Sequence, residues 1–370
     1  MNAMRGVLDL ARWAPSGDNT QPWRFEIVSE SKVLIHGSDT RDHCVYDLDG
    51  WASQLSHGAL LETVSVAATR FGCRAHVEMA SEANERHITY SVVLERDASI
   101  VAEDPLAAAI RERTVQRLPM SSSPLSVDQR RALEQAVGGF QLMYFDAPSD
   151  RLRLARLNVR NAHIRLTIPE AFEVHRAVIA WGCKTSEDRL PDAALGAGPL
   201  LLAMMRNAMS SWQRVEFLNR YAGGTLLPRL MLDLLPGIAC ASHVALIAPT
   251  LPASLAVRVS AGRAMQRMWL TATRVGLQMQ PSYTPLVFAR YAREARKFTR
   301  LARAQRTAGQ VARRLDEILG RENAARAVFL ARVGLARSVA GRSLRLPLER
   351  LIIRDNTQAT AAVKTADRRM

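Results

Sequence analysis

The chain has 370 residues, of which 48% are hydrophobic and 23% are charged. This composition excludes a disordered protein, and the length allows one large hydrophobic core or two ordinary ones. Fifty Lys and Arg residues against 35 Asp and Glu residues give a formal net charge of +15. The four cysteines are too few for a disulfide scaffold and match no zinc spacing, so we expect buried free thiols in a reducing compartment.

The elements predicted along the chain mix helices with strands. A short helix over 7–13 is followed by predicted strands at 24–28, 33–36, 74–79 and 87–94. Helical segments follow at 104–112 and 126–137, together with one long helical stretch at 150–181. A buried strand is predicted at 242–248. This pattern is typical of an α+β fold.

We expect a cytoplasmic protein without an integral membrane segment. Residues 1–9 lack the apolar run of a signal peptide. The uncharged stretch 234–257 contains three prolines, which break the helix that a bilayer requires. We therefore expect a loop, the buried strand and a second loop in this stretch.

Two segments of the chain repeat each other. Residues 56–72 align with residues 260–276 at a constant offset of 204, with six of seventeen residues identical. Both segments have the apolar spacing of a helix and end at Gly, a common helix stop. Solenoid repeats are about 20–50 residues long, so this much longer period predicts two copies of one domain in a single chain.

The most specific motif lies near the start, at residues 14–25, with the sequence Ala-Pro-Ser-Gly-Asp-Asn-Thr-Gln-Pro-Trp-Arg-Phe. It predicts a turn-rich loop that carries a hydroxyl, two carboxamides and a carboxylate, anchored by Trp23 and Phe25. An Asx-type turn with an aromatic anchor would also explain these residues.

This loop resembles the Pro-Ser-x-x-Asn-x-Gln-Pro-Trp motif of the nitroreductase family of FMN flavoproteins. Asp-Leu-Asp-Gly at 47–50 and Ser-His-Gly-Ala at 56–59 resemble the next block of its single-chain, Acg-type branch. That resemblance implies a nitroreductase-like α+β fold in which two tandem halves form an intramolecular pseudo-dimer. The halves would span 1–103 and 104–354, with interdomain helices, a candidate lid near 182–235 and a disordered tail at 355–370.

Further blocks resemble the same family. Residues 110–119 are similar to the basic segment that holds the FMN phosphate, 281–286 to the loop beside flavin N5, and 343–348 to the phosphate-binding end. The resemblance implies no catalytic side chain and no metal. The implied cofactor-binding residues are Ser16, Asn19 and Gln21 for the ring and ribityl chain, Ser282, Tyr283 and Thr284 beside N5, and Arg113, Thr114, Arg117 and Arg345 for the phosphate.

The phosphate-binding segment departs from the family pattern. Glu112 and Gln116 occupy positions where the family has cations. A Glu112 carboxylate facing the phosphate would oppose FMN binding, and Gln is a weaker donor than Arg. Arg111, Arg113 and Arg117 lie one place away and could substitute for the missing charges.

The implied function is hydride transfer from NAD(P)H through FMN to a small molecule: a quinone, a nitro compound or a pathway intermediate. Two alternatives remain open. One is a non-catalytic protein that sequesters FMN under a covered ring; the other is a redox partner that docks an acidic protein. The chain could be a monomer or a homodimer.

A strongly basic segment at 290–345 has a net charge of +11. Arg293, Arg296, Arg300 and Arg303 have helical spacing, which predicts one basic stripe. Such a stripe is most often a solvated face, and an acidic protein partner is the alternative. The scarcity of aromatic residues between the arginines argues against nucleic-acid binding.

Other residues have both a structural and a functional interpretation. His57 is predicted to bond to backbone rather than to act in catalysis. His163 and His175 lie on the predicted long helix without metal-ligand spacing. A methionine-rich cluster with Trp212 is either core or part of a lid; the methionines are Met204, Met205 and Met209. Residues 182–198 are predicted to form a long exposed loop.

Overall fold

A computed structural model describes residues 2–81, 85–337 and 341–353 of the chain, so the tail predicted at 355–370 lies outside the described residues. Helices and strands alternate, which confirms the predicted α+β class. The helices are α1 Ala3–Ala11, α2 Trp51–Thr69, α3 Ala109–Glu112, α4 Val127–Ala136, α5 Pro148–Thr167, α6 Pro169–Val178, α7 Pro199–Ala208, α8 Trp212–Tyr221, α9 Leu226–Pro228, α10 Leu235–Ile238, α11 Leu255–Arg274, α12 Thr284–Arg293, α13 Ala302–Leu319, α14 Arg321–Arg326 and α15 Leu348–Leu351.

The strands form two four-stranded antiparallel sheets, ordered β1-β2-β4-β3 and β10-β11-β9-β5, and two small two-stranded parallel sheets. A π-helix spans Arg229–Leu234, between α9 and α10. The strands are β1 Trp23–Ile27, β2 Lys32–Ser38, β3 Cys73–Ser81, β4 His87–Arg96, β5 Gln141–Phe145, β6 Ile179–Ala180, β7 Thr185–Ser186, β8 Leu190–Pro191, β9 Ser242–Ile247, β10 Gln278–Pro281, β11 Ala327–Gly334 and β12 Arg342–Ser343.

The burial pattern of the strands explains how each sheet is covered. Residues of β2 alternate in burial, because one face of the first sheet packs on α1 and α2. Every residue of β9 and of β11 is buried, because α11 covers one face of the second sheet and α5, α12 and α13 cover the other.

The two helices predicted as repeat copies, α2 and α11, cross each other at two glycines. A Cβ atom on Gly58 would lie 2.0 Å from the carbonyl oxygen of Val259, and one on Gly262 would lie 2.1 Å from that of Leu55. The two contacts correspond to each other through the offset of 204, because Gly58 maps onto Gly262 and Leu55 maps onto Val259. This reciprocity is the pattern of a two-fold, isologous interface. The domain boundaries predicted from the repeat remain a prediction.

Polar contacts continue along the same helix crossing. The Glu62 carboxylate accepts from Arg263 at 3.1 Å and from Arg267 at 2.9 Å, and Gln266 donates to Thr63 at 3.0 Å. These bonds satisfy polar groups that the close approach of the helices removes from water.

The long helix predicted over 150–181 is divided in two. Ile168 is extended, because the proline ring of Pro169 disfavours helical backbone in the residue before it. Helix α6 then ends at Val178 rather than at the predicted Trp181. The prediction of one continuous helix was wrong, and His163 and His175 lie on different helices.

The predicted stripe of Arg293, Arg296, Arg300 and Arg303 is also wrong. Helix α12 ends at Arg293, and Ala295 has a left-handed φ of 51°, which ends the helical path. Since α13 begins only at Ala302, the four arginines do not share one helix face.

Two loop predictions need correction as well. Residues 182–198 are not a free loop, because β7 pairs with β12 and β8 pairs with β6. The stretch 234–257 contains α10 before β9, where a loop was expected.

All four cysteines are free, but Cys183 is exposed and Cys44 is half-buried, so the expectation that all are buried was wrong. Within the described residues, no helix is both long and apolar enough to cross a bilayer.

His57 connects α2 to the first sheet. Its Nε2 atom lies 3.0 Å from the carbonyl oxygen of Pro22 and 2.9 Å from that of Ser38. The ring lies against Gly37, where a Cβ atom would approach it to 2.6 Å. Burial lowers the pKa of His57 to about 4, so the ring is neutral at neutral pH.

Replacement of Gly262 by Ala should lower the free energy of unfolding by about 1–3 kcal/mol or more. The added methyl would overlap the Leu55 carbonyl oxygen, which is part of the backbone and cannot rotate away. The urea midpoint of unfolding measures this loss. Gly139→Ala is the matched control, since a Cβ atom there meets nothing within 4 Å. A Gly262→Ala variant as stable as the control would contradict the close helix crossing.

The buried neutral His57 should make stability fall with acidification. The unfolded state binds a proton near pH 6.5 and the folded state only near pH 4. The contribution of His57 to the free energy of unfolding is therefore fully present above pH 6.5 and is lost as the pH falls to 4. This loss amounts to about 3 kcal/mol. In urea unfolding at several pH values, His57→Gln should flatten this decline; a decline as steep as that of the wild type would contradict the buried neutral ring.

Candidate functional site

A cavity of about 370 Å³ lies where the loop at 15–20, the start of α2, residues 113–117 and the start of α12 meet. Its size falls within the range of small-molecule and cofactor pockets, roughly 300–1,000 Å³. Eight of the ten predicted cofactor-binding residues line this cavity, and Gln21 and Thr114 do not; the eight are Ser16, Asn19, Arg113, Arg117, Ser282, Tyr283, Thr284 and Arg345.

The loop that carries the first motif has an unusual backbone. Asp18, Asn19 and Gln21 all have positive φ values, of 49°, 64° and 49°, which are rare for residues with side chains. Both carboxamides hold this shape: Asn19 donates to the Glu187 carbonyl at 3.0 Å, and Gln21 donates to the same oxygen at 2.9 Å. Strained backbone that surrounding contacts enforce in this way is concentrated at functional sites.

The three polar residues predicted to contact the ring differ in their positions. Ser16 lines the cavity, and its hydroxyl accepts a hydrogen bond from the backbone N–H of Gln21 at 2.9 Å. Asn19 lines it too, and its buried Oδ1 atom has no hydrogen-bond partner among the described residues. Gln21 is completely buried, and its Oε1 atom accepts from the Leu346 amide at 2.9 Å, so its side chain holds the loop rather than facing the cavity.

Three arginines form a positive cluster, and two of them, Arg113 and Arg345, line one end of the cavity. Arg345 donates to the carbonyls of Ala14 at 3.0 Å and Leu344 at 2.7 Å, while Arg113 donates to that of Trp13 at 3.2 Å. Arg342 completes this arginine cluster from β12. Within the described residues none of the three is paired with a carboxylate, and the Nε atoms of Arg113 and Arg342 have no partner.

The cluster therefore carries charge that the protein does not neutralise. Burial, reinforced by Arg342 and Arg12, lowers the pKa of Arg345 to about 9. Burial and the charges of Arg345 and Arg342 also lower the pKa of Arg113 far below its usual value. Buried cations of this kind are unfavourable unless a counter-charge is present, so this end of the cavity is suited to an anion.

The residues that departed from the family motif do not face this cluster. Glu112 is exposed at the end of α3 and Gln116 donates to the Arg337 carbonyl at 2.8 Å. The exposed Arg111 pairs with Asp9. The opposition expected from Glu112 therefore does not arise, and Arg113, rather than Arg111, supplies the buried charge.

The wall opposite the first motif is formed by residues at the start of α12. The Ser282 amide donates to the Leu330 carbonyl at 2.7 Å, and Thr284 accepts from Asn161 at 2.6 Å. Asn161 is 1% exposed, lines the cavity, and has an Oδ1 atom without a partner. Burial raises the pKa of Tyr283 to about 12, so its hydroxyl is protonated at neutral pH.

Several residues at the site were not anticipated from the sequence. Tyr46 and His175 line the cavity, and the Tyr46 hydroxyl lies 2.9 Å from His175 Nε2. Arg332 lines it from β11, is 2% exposed, and has an Nη1 atom without a partner. A signal for Arg332 existed, because a single cation in an otherwise apolar strand is seldom a packing residue.

The segment predicted as a lid supplies only a few of the residues that line the cavity. From the π-helix, Leu232 and Asp233 line the cavity, and the Asp233 carboxylate pairs with Arg165 at 2.9 Å. Burial raises the pKa of Asp233, and Arg165 opposes this shift. The methionines and Trp212 of the predicted cluster are not among the lining residues; Trp212 packs on Phe172 instead.

Comparison with known proteins gives two curated relatives and several solved structures, while no family model matches the chain. The relatives are provisionally named NAD(P)H nitroreductases of Mycobacterium tuberculosis, from strains CDC 1551 and H37Rv. Each is 26% identical over 293 residues, which cover 78% of this chain and 78% of the relative. The chain is therefore similar to proteins provisionally named nitroreductases, in line with the resemblance of its motif; a fused branch is not confirmed.

The solved structures include a nitroreductase-like protein from Bacillus cereus, with 10% identity, a TM-score of 0.35, and coverage of 69% of this chain and 98% of that chain. They also include the FMN-dependent nitroreductase NfnB from Mycobacterium smegmatis in complex with NADPH. It has 16% identity, a TM-score of 0.35, and coverage of 66% of this chain and 96% of that chain.

Inorganic phosphate should stabilise the protein purified without ligand, because an anion neutralises the arginine cluster. We expect a rise in melting temperature of roughly 2–6 °C at saturating phosphate, relative to chloride of equal ionic strength. Arg345→Gln should abolish most of this rise, and replacement of the exposed Arg350 should not. Equal stabilisation of all three proteins would show that the cluster does not bind anions.

Proposed function

We propose that the chain binds FMN in this cavity and uses NAD(P)H to reduce a small-molecule acceptor such as a quinone or a nitro compound. The observation that carries the proposal is the uncompensated arginine cluster at one end of a pocket with unpartnered polar atoms. The provisional names of the two M. tuberculosis relatives support the same class of reaction.

The phosphate of FMN fits the arginine cluster. Arg113 has an unpartnered, buried Nε atom, and Arg345 is 7% exposed and without a carboxylate partner. A phosphate dianion would neutralise these charges and accept their free donors through charge-assisted hydrogen bonds. Ser343, which also lines the cavity, adds a hydroxyl.

The ring and ribityl chain of FMN fit the remaining lining. Flavin offers hydroxyl and imide donors as well as carbonyl acceptors. The free Oδ1 atoms of Asn19 and Asn161 are acceptors, and the free Nη1 atom of Arg332 is a donor. Each buried polar atom left without a partner costs about 1–3 kcal/mol, so a ligand that satisfies several of them gains affinity and orientation.

When bound, FMN would supply hydride chemistry at N5, which no protein side chain provides. The residues of the chain hold the ligand and exclude water. Tyr46 and His175 form a neutral hydrogen-bonded pair in the lining, since burial lowers the pKa of His175 to about 3. The Arg165–Asp233 ion pair lies in the lining where the π-helix borders the cavity.

We also propose that residues 1–103 and 104–354 are two related halves. The reciprocal contacts of Gly58 and Gly262 support this organisation. Residues of both halves line the cavity, as a site shared across a pseudo-two-fold interface requires. One chain would then supply what two chains supply in a homodimer.

A second candidate function is FMN storage without turnover. The Arg165–Asp233 pair favours it, because a π-helix wall held in place by this pair would hinder access of a nicotinamide. Rapid mixing with NADH or NADPH separates the two functions: prompt reduction of bound flavin excludes storage, and flavin that stays oxidised excludes the enzyme.

The purified chain should take up roughly one FMN per chain and turn yellow, and NADH or NADPH should bleach the visible band without oxygen. Arg113→Gln should weaken FMN binding by about 10–100-fold, because one charge-assisted contact contributes about 1.5–3 kcal/mol. Titration followed by flavin fluorescence measures this affinity.

Arg111→Gln is the matched control, since Arg111 is exposed and paired with Asp9. A chain that is colourless after incubation with excess FMN and removal of the unbound flavin by gel filtration, while its circular dichroism shows it to be folded, would rule out the proposed cofactor.

A further inference from the structure

The segment from α7 to α10, residues 199–238, is covered by unusually apolar surface. It contributes ten of the eighteen large hydrophobic side chains that are exposed in the described part of the chain. Monomeric soluble domains seldom expose large contiguous apolar patches, and those that do usually bind a partner or a membrane. The ten are Leu200, Met204, Phe217, Tyr221, Leu226, Leu227, Leu230, Met231, Leu235 and Ile238.

Two polar contacts tie the segment to α5, and the Trp212 ring packs on Phe172. Asn219 donates to the Leu166 carbonyl at 2.7 Å and Arg229 donates to the Val159 carbonyl at 3.0 Å, both on α5. Neither α8 nor the π-helix contains a fully buried residue. Their apolar side chains are therefore largely free to make contacts outside the chain.

Helix α8 carries the most distinctive part of this surface. Phe217 and Tyr221 are 60% and 67% exposed, and their ring centroids lie 5.1 Å apart. The Arg220 guanidinium lies 5.4 Å from the centre of the Tyr221 ring. Exposed aromatic rings beside cations suit the boundary between lipid headgroups and acyl chains.

The charges of the segment indicate the nature of the surface it meets. Arg206, Arg214 and Arg220 are exposed, whereas Glu216 is the sole exposed acidic residue between 199 and 238. The other acidic residue, Asp233, is paired with Arg165 in the cavity. An isologous contact with a second copy would bring these arginines together, whereas anionic lipid would attract them.

We propose that residues 199–238 dock on an anionic membrane surface, with Phe217, Tyr221 and neighbouring leucines inserted at the headgroup boundary. Because Leu232 and Asp233 of the same segment line the cavity, docking brings the cavity wall to the lipid. Under the proposed function, this favours a lipophilic acceptor such as a membrane quinone; the binding itself does not depend on that function.

Sedimentation with vesicles tests the docking surface on the full chain. The protein should pellet with vesicles containing phosphatidylglycerol and far less with pure phosphatidylcholine. Phe217→Ser/Tyr221→Ser should weaken binding at least about tenfold, and Arg214→Gln or Arg220→Gln about fivefold each. Val101→Ser is the control, because Val101 is 95% exposed outside the segment and should leave binding unchanged.

FMN uptake and circular dichroism, measured on the same samples, separate the outcomes. Binding that falls with unchanged dichroism supports the surface whether or not FMN is bound. The proposal is overturned if the wild type stays in solution with anionic vesicles, or if the aromatic substitutions leave vesicle binding intact. It is also overturned if sedimentation velocity shows a wild-type dimer that these substitutions dissociate, because a second copy would then cover the surface.

Discussion

The close crossing of α2 and α11 is the constraint on which the rest of the structure depends. Only glycine at 58 and 262 allows two helix backbones to approach this far, since any side chain would meet a carbonyl near 2 Å. Leu55 and Ser56 of α2 and Met265 and Trp269 of α11 all line the cavity. The cavity is thus a consequence of helix packing rather than of the loops alone.

The same crossing supports the charge at the site. The Arg113 guanidinium lies 4.5 Å from the centre of the Trp269 ring on α11, so an aromatic face, rather than a carboxylate, accompanies this buried cation. Such an interaction offsets part of the desolvation cost without cancelling the charge. The arginine cluster consequently remains able to attract an anion, while the loop with positive φ values is tied to the segment of Arg345, because Asn19 donates to the Leu344 carbonyl at 3.2 Å.

Much of the fold and of the candidate site could be predicted from the sequence because the relevant signals were local. The helix copies, the main strands and the dense polar loop all follow from periodicity and turn chemistry, and eight of the ten predicted site residues line one cavity. Gln21 does not line the cavity, since a sequence motif does not show which side-chain amide faces a ligand and which one holds the loop in place. The arginines at 293–303 shared helical spacing, but the left-handed Ala295 breaks the helix, and nothing in the composition indicates that turn. The Tyr46–His175 pair comes together only through tertiary packing.

Comparative titration of the ligand-free protein with FMN and with riboflavin tests the central claim most directly, because the two ligands differ only in the phosphate. If the arginine cluster is the phosphate end of a flavin site, FMN should bind at least about 100-fold more tightly than riboflavin, since two or more charge-assisted contacts are lost. This difference should shrink in Arg345→Gln. Equal affinity for the two ligands, or no binding of either by the folded protein, would contradict the account.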